Sequence, residues 1–186
     1  MALGDKTKDK LTALAVRMKK GDRKAAGTLY EELMPKVYGF FFARTGKREV
    51  AEDLSQEIFL KLVERIDAFD ERKGRFVVWF WQVARNMLVD HYRGKRETAF
   101  SAFMENDLEA LATTEPANLD HRLRYVAVRD FLGTLGDDER ELFELRYAAE
   151  MSYKEIAEIL GRTEGALRVA SLRLKEKIRK EFKHEI

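Results

Sequence analysis

The chain of 186 residues is 45% hydrophobic and 37% charged, contains two prolines and no cysteine, and carries a formal net charge of +2 at pH 7. This length suits one or two small domains, and the richness in Ala, Leu, Glu, Lys and Arg with so little proline predicts an all-α fold. Without cysteine, disulfides and thiolate metal sites are excluded, and no apolar run approaches the roughly 20 residues that span a bilayer. We therefore expect a cytoplasmic protein without membrane insertion.

Charge is distributed unevenly along the chain. Residues 1–20 contain six Lys or Arg and two Asp, whereas residues 97–121 contain six acids and no Lys or Arg. Residues 162–183 contain eight basic and three acidic residues, a clustering that fits a nucleic-acid partner. These shifts divide the chain into an N-terminal helical domain (1–96), an acidic linker (97–121) and a C-terminal helical domain (122–186).

The first informative element along the chain is a predicted helix over 50–66. Its apolar residues recur at helical spacing and predict a stripe that faces the core: Leu54, Ile58, Leu62 and Ile66. A second stripe is polar: Asp53, Gln56, Glu57 and Lys61. This second stripe is compatible either with plain solvated surface or with a surface that receives basic side chains of a partner protein. No His or further acid converges on it in the sequence, so we expect neither catalysis nor a metal there.

Aromatic and basic residues interleave over the next segment, which runs from a charged turn at 70–75 into a predicted helix ending near Arg96. Its apolar residues suited to a core are Phe76, Trp79, Phe80 and Val83. Its polar residues are Gln82, Arg85, Asn86, Arg93, Lys95 and Arg96. Rings beside cations suit single-stranded nucleic acid, in which unstacked bases stack on rings while cations neutralise phosphates. We expect the polar set and the turn, rather than the tryptophans, to make such contacts.

The acidic interval 97–121 contains Thr113-Thr-Glu-Pro-Ala-Asn118, which breaks helical periodicity and predicts a loosely ordered linker. Its apolar residues leave docking on a partner as the alternative: Phe100, Phe103, Leu108 and Leu111.

The segment 151–175 has the pattern of a helix-turn-helix. Ser152 and Glu155 form a capping-box pattern, Gly161 supplies a residue for the turn, and Thr163 is placed to cap a second helix. Leu167, Ala170 and Leu174 are predicted to face the first helix. The opposite face is predicted to present Arg168, Ser171, Arg173 and Lys175, side chains that reach phosphates and base edges in a major groove. Arg162, where this motif usually has an apolar residue, is predicted to extend into solvent or to contact a phosphate. An ordinary helical hairpin with a charged face is the alternative.

Four blocks in this order resemble the bacterial RNA polymerase sigma factors of the small extracytoplasmic-function type, which have the second and fourth conserved regions joined by a linker. The blocks are Ala51-Glu-Asp-Leu-Ser-Gln-Glu-Ile-Phe-Leu-Lys-Leu62, Phe76-Val-Val-Trp-Phe-Trp-Gln-Val-Ala-Arg-Asn86 with Asp90 and Arg93, Leu142-Phe-Glu-Leu-Arg-Tyr147, and Ser152-Tyr-Lys-Glu-Ile-Ala-Glu-Ile-Leu-Gly161. The resemblance covers roughly residues 21–96 and 122–183. Its specificity lies in the joint order of the blocks.

The resemblance implies roles for particular positions. Asp53, Gln56 and Glu57 would dock on the coiled-coil clamp of the largest polymerase subunit. Phe69, the 70–75 loop with Arg75, and Asn86 would capture a flipped base of the minus-ten element; we add the basic residues Arg93, Lys95 and Arg96 to this contact set. Arg168, Val169, Leu172 and Arg173 would read the minus-thirty-five element, flanked by Arg162 and Thr163. Val169 and Ala170 stand where a serine and an arginine are common, so promoter preference does not carry over.

The expected function is therefore that of a sigma factor, which is not an enzyme and uses no cofactor or metal. Its expected partners are core RNA polymerase and promoter DNA, both as duplex and as melted strand, and an anti-sigma protein is a further candidate. Capture of a flipped base would offset an unstacking cost of a few kcal/mol, so melting would need no ATP. Two alternatives remain: a repressor or activator that uses its helix-turn-helix alone, and an enzyme such as a nuclease, for which the sequence shows no metal-ligand cluster.

Overall fold

A computed structural model describes residues 5–96, 127–128 and 130–183, with side chains described from residue 10 to 93, at 127–128 and over 130–183. The predicted linker at 97–121 lies outside these residues. Every regular element in the described ranges is helical, which confirms the predicted all-α fold. None of the helices in these ranges is long and apolar enough to cross a membrane.

Four helices build the N-terminal domain: α1 (Asp5–Lys19), α2 (Arg23–Thr45), α3 (Arg48–Arg65) and α4 (Phe76–Arg96). Local chemistry sets the bounds of α2. The Asp22 carboxylate accepts hydrogen bonds from the backbone N–H groups of Lys24 and Ala25, which have no partner within the helix. At the other end Gly46 takes φ of 65°, a left-handed conformation that glycine adopts without a Cβ penalty.

The helix α3 confirms the predicted core stripe, because Leu54, Ile58, Leu62 and Ile66 are all buried. It begins two residues before the predicted start and continues into a 3-10 turn, Ile66–Ala68. Rings from α2 and α4 fill the core behind it: Phe40, Phe41, Phe76, Phe80 and Trp81. Trp79 and Val83 pack half-buried against this core. The prediction that the apolar residues of 76–83 serve the core is therefore confirmed.

The C-terminal domain begins, within the described residues, with helical residues 127–128 and 130–134. It continues through α5 (Asp137–Phe143), a π-helical turn (Glu144–Ala148), α6 (Tyr153–Leu160) and α7 (Glu164–Glu181). A small separate core lies between its first residues and α7: Phe131, Leu132, Leu135 and Leu174. After the π turn, Glu150 takes φ of 55°, which is strained for a residue with a Cβ.

The two domains share one continuous core. The helix α2 packs against the π turn, and α4 packs against α6. The apolar residues that the C-terminal domain contributes to this core are Leu142, Leu145, Ala149, Met151, Ile156, Ile159 and Leu167. The division at residues 97–121 had led us to expect two helical units without predicting any contact between them. In the described residues, they pack directly on each other.

The described ion pairs across this interface all have the same polarity, with the cation in the N-terminal domain and the carboxylate in the C-terminal domain. The pairs are Lys36–Glu150 (3.3 Å), Arg44–Glu144 (3.5 Å), Arg75–Glu155 (3.7 Å) and Arg85–Glu141. A basic surface of α2, α4 and the 70–75 loop therefore faces an acidic surface of the C-terminal domain.

Glu144 is the most deeply buried ionisable residue of the π turn, with 2% of its surface exposed. Loss of hydration disfavours its carboxylate and raises its pKa from 4.5 to about 8. Arg44 and Arg140 oppose this shift, and Glu141 adds to it. Burial outweighs the two arginines because the Arg44 NH1 group lies 3.5 Å from the carboxylate, too far for a strong hydrogen bond.

Candidate nucleic-acid interface

The helix-turn-helix forms as its local signals predict. The Ser152 backbone N–H donates to the Glu155 carboxylate at 2.8 Å, and the Glu155 backbone N–H donates to the Ser152 hydroxyl at 3.4 Å, so both halves of the capping box are present. Gly161 takes φ of 64° and ends α6. The Thr163 hydroxyl then accepts from the Ala166 backbone N–H at 3.2 Å and begins α7. These three predictions are confirmed.

The buried face of α7 contains one residue that we had placed on the opposite side. Leu167 is buried in the main core together with residues of α6, and Ala170 packs against that core, as predicted. Leu174 is buried too, but in the small separate core with Phe131 and not against α6, so that part of the prediction is wrong. Ser171, however, is 1% exposed, and its hydroxyl accepts a hydrogen bond from the Tyr153 hydroxyl at 2.7 Å. The prediction that Ser171 faces DNA is therefore wrong. Its position four residues after Leu167 and three before Leu174 puts it on the same side of the helix as those leucines.

The solvent face of α7 presents the side chains that were predicted to read duplex DNA. Those exposed on the turn and on the first half of the helix are Arg162, Thr163, Arg168, Val169, Leu172 and Arg173. Arg162 is paired with Asp138, and Arg168 is paired with Glu164. Ion pairs this exposed contribute little, so a phosphate or base can replace either carboxylate at small cost.

Arg168 also lies over the Tyr153 ring, with its guanidinium carbon 5.1 Å from the ring centroid. The guanidinium carbon of Arg146 lies 4.8 Å from the centroid of the same ring, so both cations make cation–π contacts with Tyr153 at the start of α6. A guanidinium held against a ring loses less freedom when it binds, which favours Arg168 as an ordered contact. Arg173 has no ion pair among the described residues.

Three of the four residues in the polar stripe of α3 are exposed, whereas Lys61 is half-buried and its ammonium pairs with the Glu57 carboxylate at 2.8 Å. Asp53, Gln56 and Glu57 all face solvent opposite the buried stripe. Sequence reasoning overlooked two apolar neighbours: Leu60 is 64% exposed and Val63 is 62% exposed. They lie four and seven residues after Gln56 and so continue its line along the helix. Their helical positions could have revealed them, because they fall off the core stripe. Apolar side chains beside carboxylates and an amide are typical of a protein–protein contact.

Phe69 does not occupy the position expected of a base contact. It is 2% exposed, and its ring lies 5.5 Å from the Phe76 ring and 5.7 Å from the Trp79 ring, centroid to centroid. An aromatic ring gains most by burial when other rings can surround it, which explains this position. The role of Phe69, the 70–75 loop and Asn86 in base capture stays a prediction. Phe69 fixes the start of the 70–75 loop to the core.

The 70–75 loop is held by its own charges. Arg72 donates to the Asp70 carboxylate through its backbone N–H at 3.1 Å and through its guanidinium Nε at 3.0 Å. These bonds hold the pKa of Asp70 below its usual range. The last loop residue, Arg75, lies 3.7 Å from the Glu155 carboxylate of the C-terminal domain. One predicted DNA contact is thus engaged by the other domain.

Asn86 and Arg93 are exposed on α4, seven residues apart and therefore on one side of the helix. The Gln82 amide donates to the Asn86 side-chain oxygen at 3.3 Å. Lys95 and Arg96 belong to α4, but their side chains lie outside the described part of the chain. Asn86 stands ten residues, or about 15 Å of helix, from the loop end of α4.

Within the described residues, no group of three or more His, Asp or Glu side chains could hold a metal ion. The surfaces on α3, α4, α7 and the 70–75 loop offer exposed cations, amides and apolar side chains, which are binding groups.

Comparisons with known proteins match both halves of the chain. Residues 29–98 match the family model for sigma-70 region 2, and residues 125–178 match that for sigma-70, region 4. The ECF RNA polymerase sigma factor SigM of Bacillus subtilis is 30% identical over 153 residues, which cover 81% of this chain and 91% of SigM. The ECF RNA polymerase sigma factor BldN of Streptomyces coelicolor is 29% identical over 173 residues, which cover 91% of this chain and 64% of BldN.

The fold is also that of a sigma factor of known structure. The sigma factor RpoE of Bartonella quintana, solved in complex with the anti-sigma factor NepR, has a TM-score of 0.66 and 23% identity; the match covers 86% of this chain and 98% of that chain. Matches to both regions define a sigma-70-type protein that contains regions 2 and 4. The chain belongs to the ECF RNA polymerase sigma factors. Such proteins direct promoter recognition and transcription initiation with RNA polymerase, and they are DNA-binding regulators rather than enzymes.

Proposed function

We propose that the chain initiates transcription in the cytoplasm through three surfaces, without catalysing a reaction itself. The N-terminal domain, residues 1–96, would bind core polymerase through α3 and the melted minus-ten strand through α4 and the 70–75 loop. The C-terminal domain, residues 122–186, would bind the minus-thirty-five duplex through α7. One observation carries the proposal: a single chain matches both regions, and each region exposes a contact surface opposite a buried core stripe.

The polymerase-binding surface consists of Asp53, Gln56 and Glu57, extended by Leu60 and Val63. The carboxylates would orient the partner's cations, and the apolar pair would supply the desolvated centre that carries most of the affinity in protein interfaces. Neither apolar residue has a structural reason to be exposed, because each could be polar without loss to the core. Their exposure supports a partner at this surface.

Strand capture would involve Arg75, Asn86 and Arg93, with Phe69 supporting the loop from the core. The Asn86 amide can donate to and accept from a base edge, whereas the arginines would neutralise phosphates.

Duplex reading would involve Arg168 and Arg173 as the polar side chains, with Val169 and Leu172 between them. Arginine can bind guanine through two parallel hydrogen bonds, and exposed apolar side chains contact the thymine methyl group. Arg162 and Thr163 at the start of α7 would contact phosphate, where the helix N-terminus already favours an anion.

Promoter binding requires the two domains to move apart. Elements centred about 25 base pairs apart are separated by about 85 Å of B-DNA. The centres of two small domains in contact lie about 30 Å apart. The packed arrangement therefore cannot span both elements, and opening would also release Arg75 from Glu155 and Arg85 from Glu141.

The test is charge reversal on the proposed polymerase surface. The double substitution Asp53→Arg with Glu57→Arg should lower affinity for core polymerase by at least about 100-fold, because each reversal both removes an attraction and introduces a repulsion. Duplex binding by the C-terminal domain and overall helicity should not change, because both side chains are exposed. Glu31→Arg, a reversal at an exposed residue on α2, is the matched control. Unchanged core affinity in the double variant, measured by fluorescence anisotropy, would refute this surface.

A further inference from the structure

Both ends of the 70–75 loop are tied to α1, whose basic sequence had no assigned role. The Lys19 ammonium donates to the backbone carbonyls of Asp67 and Phe69, each at 2.8 Å. At the other end of the loop, the Phe76 backbone N–H donates to the Thr12 hydroxyl at 3.3 Å. The loop therefore enters and leaves through hydrogen bonds to the same helix.

Lys19 supplies hydrogen-bond donors to two backbone carbonyls that no helix N–H group can reach. Asp67 lies in the short 3-10 turn, and Phe69 follows it, so neither carbonyl has a continuing helix to supply a donor. An ammonium that bridges two carbonyls fixes their relative orientation, and charged donors make the stronger hydrogen bonds. Phe69 is thereby held twice, by its ring in the aromatic core and by its carbonyl on Lys19.

Helix α1 is itself a rigid support for this bridge. Leu11, Leu14 and Ala15 are buried in the main core, which fixes α1 relative to α2 and α4. The neighbouring Lys20 offers a comparison, because it is also exposed and its ammonium makes no hydrogen bond or ion pair with the described residues. Lys19 and Lys20 thus differ in their contact with the loop and not in charge.

We propose that Lys19 is a positioning residue, which holds the 70–75 loop in the conformation that captures the melted promoter strand. This inference rests on the strand-capture role proposed above for the loop. Lys19 acts through the backbone at residues 67–69, and it need not touch the nucleic acid.

The test compares three single variants in the full chain with core polymerase. Lys19→Met keeps the aliphatic stem and removes both donors, Lys19→Arg keeps donors that can reach two carbonyls, and Lys20→Met removes an equal charge from the next residue. Equilibrium binding is measured to a template with a premelted minus-ten bubble, first intact and then altered one base at a time. Core affinity and thermal unfolding are measured in parallel.

For Lys19→Met we expect normal core affinity and an unfolding temperature close to that of the unmodified protein. The measured quantity is the ratio of affinities for the intact bubble and for the altered bubble that the unmodified protein binds most weakly. This ratio should fall by about tenfold, because one interaction of ordinary hydrogen-bond strength is lost. Lys19→Arg should recover most of this preference, and Lys20→Met should keep it fully. Loss of discrimination without loss of stability separates loop positioning from a merely structural role.

Three outcomes would overturn the proposal. Full base discrimination in Lys19→Met would show that the bridge is dispensable. An equal, uniform loss of affinity in Lys19→Met and Lys20→Met would assign both lysines to general attraction of phosphates. A lowered unfolding temperature in Lys19→Met with parallel loss of core affinity would make the bridge structural. If the unmodified protein shows no base preference on the bubble, the strand-capture role fails, whatever Lys19 does.

Discussion

Replacement of Glu144 by Gln should stabilise the protein at alkaline pH and have little effect at acidic pH. Glu144 lies in the π turn, buried between the domains, with Arg44, Arg140 and Glu141 as its charged neighbours. The protonated acid and the amide have nearly the same shape, and either can accept a hydrogen bond from Arg44. Ionisation is therefore the property that the substitution removes.

The magnitude follows from the pKa. In the folded protein the pKa of Glu144 is raised from 4.5 to about 8, so the folded state favours the protonated form. Its contribution to stability is fully present below pH 4.5 and is lost as the pH rises through 8. Between pH 5 and pH 8.5 the loss is about 4 kcal/mol, a figure obtained by treating the two pKa values as those of the folded and unfolded chains.

The assay is thermal unfolding followed by circular dichroism across pH 5 to 9. The unfolding temperatures of the unmodified protein and of Glu144→Gln should agree within a few degrees at pH 5, and the variant should unfold about 10 °C higher at pH 8.5. Glu158→Gln, at an exposed position on α6, controls for the loss of one negative charge and should follow the unmodified protein. Parallel pH profiles for the unmodified protein and Glu144→Gln would refute the reasoning, since they would show that Glu144 does not ionise in this range.

The remaining predictions concern DNA. If Arg168 or Arg173 binds guanine, its replacement by Ala should weaken duplex binding by about 1–3 kcal/mol and relax sequence preference at one position. If the arginine contacts a phosphate instead, the replacement should weaken binding to all sequences alike and reduce the slope of log affinity against log salt concentration by about one. Duplex titrations at several salt concentrations that show neither effect for either arginine would mean that α7 presents a different face. Asn86→Ala should leave core affinity intact, slow opening of duplex promoter and be partly rescued by a premelted bubble; permanganate footprints with normal opening would move strand capture to other residues.

Local signals predicted the parts of the fold that local chemistry determines. The capping box at Ser152, the left-handed Gly161 and the cap at Thr163 each depend on residues within a few positions, so their geometry follows from the sequence. The core stripe of α3 was equally accessible, because helical periodicity by itself separates Leu54 and Ile58 from Asp53 and Gln56.

The structural features that the sequence did not predict depend on contacts between residues far apart along the chain. Ser171 is polar and was placed toward DNA, yet Tyr153, 18 residues earlier, supplies the hydrogen bond that makes its burial possible. Glu144 would be expected in solvent, yet the π turn that carries it packs against α2, where Glu144 meets Arg44, 100 residues away along the chain. The burial of Phe69 was not predicted either, because nothing local shows that Phe76 and Trp79 will surround it. Each of these buried positions depends on a contacting residue that helical periodicity cannot identify.

The most direct test of the central claim is run-off transcription with purified core polymerase across a genomic promoter library. We predict that core polymerase and this chain together yield transcripts from discrete start sites, that neither does so alone, and that Asp53→Arg with Glu57→Arg abolishes these transcripts while duplex binding persists. Binding of the chain to specific duplex sites with no transcript that depends on it would contradict the account and indicate a regulator that acts through its helix-turn-helix alone.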